Sequence, residues 1–558
     1  MTTNPALLLL GGALLLPLLP ARARPAALLG LPLLTLAAVW GVADGAQLAV
    51  TFLELELVPL RGSSVGRLFA TIFALMAFAG ALYALRQARL LEQVAAQAYA
   101  GGAIGVTFAG DLVTLFVFWE LMAIGSTLVI WAANTPQAYR ASMRYLLVHL
   151  FGGVVLMAGI AGHYVDSGSV AFVAMQPDSL AHWLILVGFL VNTGAPPLSA
   201  WIPDAYPEAS PSGAVFLSAF TTKTAVFALL VGFPGATVLV WIGLWMIFYG
   251  IIYALLENDM RRILAYSIVN QVGFMVAGIG IGTEMALNGA AAHAFTHIIY
   301  KALLLMSAGS VLYATGKRKC TDLGGLFRTM PLTAFCGTIG ALAISSFPLT
   351  SGFVSKSMIS QAAGDEHLIW VWLALAAATA GVFLHAGIKF PWFVFFQKDS
   401  GLRPDEPPLN MRLAMLLFAA LCIGLGIFYQ PLYALLPFST GFVPYTGSHV
   451  VVQLELLLFS GLAFFVMLPM LQRTLTITLD ADWFYRRLAP VLVTAGFLAL
   501  RAMGRTLAMA RDGGMRRIGA AALALHGPQA LFARTWTTGG MALWAALLLA
   551  GYLLVVYL

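Results

Sequence analysis

The sequence predicts an all-α, polytopic membrane protein, and three observations predict it. Of its 558 residues, 61% are hydrophobic and only 9% charged, against roughly 25% charge in a soluble domain. The mean hydropathy is +0.90. Apolar windows of about 20 residues, enough to cross a bilayer, recur with short polar loops between them, giving about 14–16 spanning helices.

Taken in order, the first windows lie near 4–21 and 25–43. The leader has no basic residue before its apolar run, and Arg22 and Arg24 follow it. A retained first helix with its N-terminus outside is therefore expected, not a cleaved signal peptide. Further windows fall near 66–85, 93–110, 112–132, 143–164, 180–200, 211–232, 237–257, 262–281 and 287–313. Five more lie near 331–361, 369–396, 411–428, 451–471 and 541–558. Basic residues collect in alternate loops, such as Arg86 and Arg89, Arg140, Arg261 and Arg262, Lys317 to Lys319, and Lys398 and Arg403. The loops at 165–179, 233–236, 282–286, 363–368 and 429–449 contain no Lys or Arg. The basic set is thus expected on the cytoplasmic side of the inner membrane. The net charge of +7 is this topology signal and gives no reason to expect nucleic acid.

Two windows look interrupted. "VNTGAPPLSAWIPDAYPEASPSG" (191–213) places Pro196 and Pro197 at membrane depth, and "SSFPLTSGFVSKSM" (345–358) does the same with Pro348. Irregular backbone at that depth is tolerated where it is buried in protein or lines a wet cavity. Paired breaks in two halves of a chain point to a transport site, and ordinary proline kinks are the alternative. After residue 471, apolar residues mix with Arg486, Arg487, Arg501, Arg505, Arg511, Arg516 and Arg517. That composition suits an amphipathic helix on the cytoplasmic membrane surface or against a partner, followed by an anchor helix.

Ionisable residues inside spanning windows are costly and mark ion or proton paths. Glu120 sits mid-window in "LVTLFVFWELMAIGSTLVIW", and Lys223 is similarly central in "FLSAFTTKTAVFALLVGF". His293, His297 and Lys301 fall at i, i+4 and i+8, on one helix face. Lys356 follows the second break. Side chains that titrate near neutral pH, or are moved there by burial, can pass protons along such a row. Structural polar residues bonded between helices are the alternative. Zinc on His293 and His297 would suit their spacing, but the intervening Glu of a metalloprotease helix is missing and Lys301 is adjacent. Cys320, Cys336 and Cys422 lie far apart without a CxxC, so iron–sulfur, haem and zinc sites are not expected. No cofactor is expected, and no redox or hydrolytic chemistry is assigned to this chain.

"FVFWELMAIGS", "SAWIPDAYPEASPS", "NDMRRILAYSIVNQVGF", "HAFTHIIYKALLLMSAGSV" and "PLTSGFVSK" together resemble the antiporter-like subunits of respiratory complex I and of Mrp-type multisubunit sodium/proton antiporters. The likeness covers roughly residues 64–430 and is greatest to the D-type member of the Mrp set. It implies two inverted five-helix repeats with broken seventh and twelfth helices, and a polar axis in the membrane plane. The chain would then divide into helices 1–3 (1–90), a first repeat (91–234), a second repeat (235–400), further helices (401–472) and the Arg-rich segment with its anchor (473–558). By resemblance, Glu120 is the fifth-helix glutamate, Lys223 the eighth-helix lysine, His293, His297 and Lys301 the eleventh-helix set, and Lys356 the charge of the broken twelfth helix. The family's lysine in the seventh helix, which pairs with the glutamate, is replaced here by Asn192.

The resulting expectation is a proton-conducting subunit that exchanges protons for sodium or another cation beside other membrane subunits. The alternatives are a pumping membrane-arm subunit of a complex I-like or hydrogenase complex, or the membrane partner of a bicarbonate-accumulating complex.

Overall fold

The computed structural model describes residues 3–471, 479–530 and 532–557. It divides into two compact units, Met1–Asp482 and Trp483–Leu558. Among the described residues, 12 helices are long and apolar enough to cross a membrane, with four shorter apolar helices besides.

The first unit begins with α1 (Ala6–Leu15) and α2 (Arg24–Trp40), followed by a hairpin of β1 (Gly45–Phe52) and β2 (Leu55–Gly62). The all-α reading contained no strand here. "AQLAVTFLELELV" alternates as a strand should, but its turn residues Leu53 and Glu54 take φ of 47° and 67° without the Asn-Gly signal that such a turn favours. The hairpin is tied down by Asp111, which accepts from Val58 N–H at 2.7 Å and caps the next helix through Thr114 N–H at 2.7 Å.

That helix is α5 (Leu112–Trp131), preceded by α3 (Ser64–Ala84) and α4 (Leu90–Thr107) and followed by α6 (Pro136–Ser167). Thr135 caps α6 with Pro136 at its first position, where a missing N–H costs nothing. α7 (Leu180–Thr193) stops at Gly194, whose φ of 78° a side chain would resist. The chain then crosses Pro196 and Pro197 as a loop with two short helices, α8 (Trp201–Ala205) and α9 (Gly213–Leu217), before α10 (Thr221–Gly232). α11 (Val238–Leu256), α12 (Met260–Ile281) and α13 (Glu284–Thr315) come next. A second break at Pro348 divides α14 (Pro331–Ile344) from α15 (Ser351–Asp365). α16 (Ile369–Val382) runs into π-helical turns at Phe383–Lys389 and Trp392–Phe396, and α17 (Leu409–Ile427), α18 (Gln430–Tyr433) and α19 (Gly447–Val466) complete the unit.

The two breaks keep their backbone groups satisfied, as burial requires. At the first, Trp201 donates its indole N–H to Val191 C=O at 3.0 Å. Arg144 of α6 holds Asp204 with two bonds of 2.7 and 2.8 Å. Arg261 of α12 donates to the carbonyls of Pro207, Ala209 and Ser210, each at 2.9 Å, and buried Glu92 of α4 accepts from Ser210 and Ser212. At the second break, Lys356 donates to the freed Ile344 C=O at 3.2 Å. These anchors are absent from a simple proline kink, and they fix both loops inside the protein.

α10, α12 and α13 are buried almost all round, whereas α5, α6 and α11 expose one apolar face. Lys223, Arg261, His293, His297 and Lys301 therefore sit on the helices furthest from lipid. The second unit contains α20 (Ala489–His526) and α21 (Thr538–Tyr557), with no buried side chain on either. The first residues of the expected Arg-rich segment, 473–478, together with residues 1, 2, 472, 531 and 558, lie outside the described residues.

Candidate functional site

Lys223, one turn into α10, is fully buried. It donates to Ser218 C=O at 2.6 Å and to Thr222 Oγ1 at 3.2 Å. No carboxylate pairs with it among the described residues. It lies within electrostatic range of Lys301 and of His297 and His293 on α13.

His297 and Lys301 are also fully buried, and neither imidazole nitrogen nor the ammonium has a hydrogen-bond partner among the described residues. A buried unpaired polar atom costs roughly 1–3 kcal/mol, more when charged. Three such atoms on adjacent turns therefore need water beside them. His293 is held differently: Nδ1 is 3.1 Å from Ser355 Oγ and Nε2 3.1 Å from Gln271 Oε1. Tyr300 OH reaches Gln271 Oε1 at 3.2 Å and His293 Nε2 at 3.3 Å, and the two imidazole centroids are 6.2 Å apart. The helical spacing brings His293, His297 and Lys301 together along α13, but only His293 is orientated by partners.

Lys356 lies over the Phe274 ring at 4.6 Å and borders a cavity of about 290 Å³ whose polar lining comes from residues such as Ser346, Ser357, Gln361, His449 and Gln453. Phe353 stacks on His449 at 4.5 Å along the same wall.

Glu120 is separate. It is half-buried on α5 with Oε1 unpartnered among the described residues, and it occupies the space that a Cβ on Gly153 of α6 would need. No cation pairs with it among the described residues, neither Lys223 nor anything at position 192. Asn192 is buried in the last turn of α7 and bonds instead to His149 of α6, 2.7 Å from Nδ1 to Oδ1. Pro196 and Pro197 lie in the loop just beyond.

The residues 109–382 match the family described as NADH:quinone oxidoreductase/Mrp antiporter, TM. The D-type Na(+)/H(+) antiporter subunit of Alkalihalophilus pseudofirmus is 31% identical over 353 residues, covering 60% of this chain and 71% of that one. This chain belongs to that family.

Two further likenesses accompany its membership of the NADH:quinone oxidoreductase/Mrp antiporter family. Hydrogenase-4 component B of Escherichia coli is 28% identical over 438 residues, 69% of this chain and 65% of that one. A chain in the Mrp complex from Dietzia sp. DQ12-45-1b shares the fold, with a TM-score of 0.68 at 21% identity over 83% of this chain and 98% of that one.

Among the buried ionisable residues of this family member, sequence reading missed His149, His385, Lys389 and Glu92. His149 stands alone in "RYLLVHLFGG", and His385 and Lys389 stand at i, i+4 in "FLHAGIKF". The same test that singled out Glu120, an ionisable group in an apolar window, would have found all three. Lys389 caps α11 by donating to the carbonyls of Ala254, Leu255 and Glu257 at 2.6, 2.8 and 2.7 Å. His385 Nδ1 bonds Gly381 C=O at 2.8 Å across the π-helical turn. Glu92, at a helix end, carries no such signal.

Proposed function

We propose that this chain is a proton-conducting subunit of a multisubunit cation/proton antiporter of the inner membrane, its N-terminus outside and sodium the exchanged cation. Protons pass through Lys223, His297, Lys301, His293 and Lys356, with Glu120 as a separate charge at one end of the row. The carrying observation is that His297 and Lys301 are fully buried with no partner among the described residues on either imidazole nitrogen or the ammonium. Nothing structural is gained by burying them so, whereas a hydrated relay needs groups free to take and give protons. Electrostatic contact between Lys223 and Lys301 supports the same reading, because protonation of one ammonium penalises the next. The cavity beside Lys356 supports exchange with the outer compartment, since the adjoining loop 429–449 has no Lys or Arg. The division into repeats at 91–234 and 235–400 belongs to this proposal, as does the placement of the Arg-rich segment on the cytoplasmic face. Partners are other membrane subunits, the lipid bilayer and the ions themselves.

A second reading is a proton-pumping subunit in a redox complex, favoured by the longer match to hydrogenase-4 component B over 438 residues. Everted vesicles containing the assembled complex separate the two: sodium-dependent collapse of a proton gradient supports the antiporter. Lys223→Ala should abolish that exchange while leaving assembly intact. Wild-type exchange in the variant at normal expression would refute the relay.

A further inference from the structure

We propose that the His149–Asn192 pair is a proton station between Glu120 and the hydroxyl cluster at the start of α10, serving where no cation faces Glu120. This rests on the relay reading above.

His149 and Gly153 are four residues apart on α6 and share one face. Glu120 lies in the space left open by Gly153, so its carboxylate sits about one helical turn along α6 from the residue that carries the imidazole. His149 is 1% exposed. Its Nδ1 is 2.7 Å from Asn192 Oδ1, an amide oxygen that can only accept, so Nδ1 carries the hydrogen and Nε2 the lone pair. That Nε2 has no partner among the described residues, nor has Asn192 Nδ2. Two unpaired polar atoms on one buried pair call for water between them and Glu120.

The far side of the ring leads inward. Its centroid is 4.0 Å from that of Tyr145 and 4.7 Å from that of Trp201. Tyr145 OH donates to Ser126 Oγ at 2.9 Å and lies 3.1 Å from Thr221 Oγ1. Thr221 Oγ1 is 2.5 Å from Tyr99 OH, and Thr221 precedes Lys223 by two residues. The hydroxyl cluster therefore connects the imidazole to the turn that carries the first buried ammonium.

In the step itself, the O–H bond of protonated Glu120 breaks and an N–H bond forms at His149 Nε2, by way of water. Charge on the imidazolium strengthens its Nδ1–H bond to Asn192. The Nε2–H bond then breaks in turn, the proton passing to a second water that takes the first one's place at Nε2 on the side of the hydroxyl cluster, and the Glu120 carboxylate is reprotonated from its own side. No electron moves and no heavy-atom bond changes. Against the imidazole itself, α6 contributes Tyr145, α8 contributes Trp201 and α7 contributes the uncharged Asn192; the charged groups on the same elements are Glu120, seated against Gly153, and the Arg144–Asp204 pair.

The test is proton flux against pH in proteoliposomes holding the assembled complex. His149→Gln keeps a hydrogen-bonding side chain for Asn192 but cannot titrate. It should lower flux at least about tenfold, as expected for removal of a proton-transfer group, flatten the pH profile, and leave assembly unchanged. Adding Asn192→Lys supplies a cation on the other side of the same pair and should restore most of the flux. If His149→Gln stays within about twofold of wild type while Lys223→Ala is dead, this inference falls and the relay stands. If both variants conduct normally, the relay falls first. A slow His149→Gln whose pH profile keeps the wild-type shape, and which Asn192→Lys does not relieve, marks a structural cross-link and overturns the station.

Discussion

Arg261→Met removes the guanidinium that holds the first helix break. Arg261 donates to three carbonyls at 2.9 Å. Two of them keep a second donor: Pro207 C=O also receives Arg318 at 3.4 Å, and Ser210 C=O receives Ala214 N–H at 3.1 Å. Ala209 C=O depends on Arg261 alone among the described donors. A hydrogen bond to a charged group contributes about 1.5–3 kcal/mol, so one bond lost outright and two weakened give a loss of about 3–6 kcal/mol. Arg261→Lys should lose less than half of that. Lys389 shows in the same molecule that one ammonium can hold three carbonyls, at 2.6 to 2.8 Å. The assay is thermal unfolding in detergent, read by a thiol-reactive dye, because Cys336 and Cys422 are buried thiols that unfolding exposes. Arg261→Met should lower the midpoint by several degrees, and Arg261→Lys should fall between it and wild type. A midpoint for Arg261→Met within about 1 °C of wild type would refute the accounting, since 1 kcal/mol moves even a mid-sized domain by about 2–4 °C.

Two further predictions concern charge. Lys301→Arg should inactivate transport nearly as fully as Lys301→Ala, because a guanidinium does not release its proton at physiological pH; an active arginine variant in a gradient-collapse assay would make Lys301 a structural charge. In the loop after the π-helical turns, Arg403, the Gly401 N–H and Arg328 hold the Asp399 carboxyl well below the usual carboxylate range. A lowered value stabilises the loop fully above the ordinary carboxylate pKa of about 3.9, and the contribution is lost only as pH falls further toward the lowered one. Hydrogen exchange of residues 399–403 should therefore be flat from neutral pH to about 4, after correction for intrinsic rates, and faster below. Asp399→Asn should exchange fast throughout, and an onset of loosening near neutral pH in wild type would be inconsistent with the pairing.

The sequence by itself determined the class, the spanning windows and most of the interior charges. Hydrocarbon makes each of these expensive to misplace: an apolar run must span, an ionisable group must be paired or wet, and a double proline must leave the helix. Glu120, Lys223, His293, His297, Lys301 and Lys356 were legible for that reason, and His149, His385 and Lys389 would have been by the same rule. The hairpin at 45–62 was not, because its turn adopts a backbone that its own residues do not advertise. Only the tertiary structure decided which charges meet. Periodicity places His297 and Lys301 on one face but says nothing of the helices opposite, so it could not show that both lack partners among the described residues while His293 has three. Nor could it show that Asn192 turns to His149 and leaves Glu120 against Gly153. Those contacts join residues 43 and 33 positions apart, brought together by packing of α5, α6 and α7. Helix–helix approach is set by the shape of whole faces, and no local pattern encodes it.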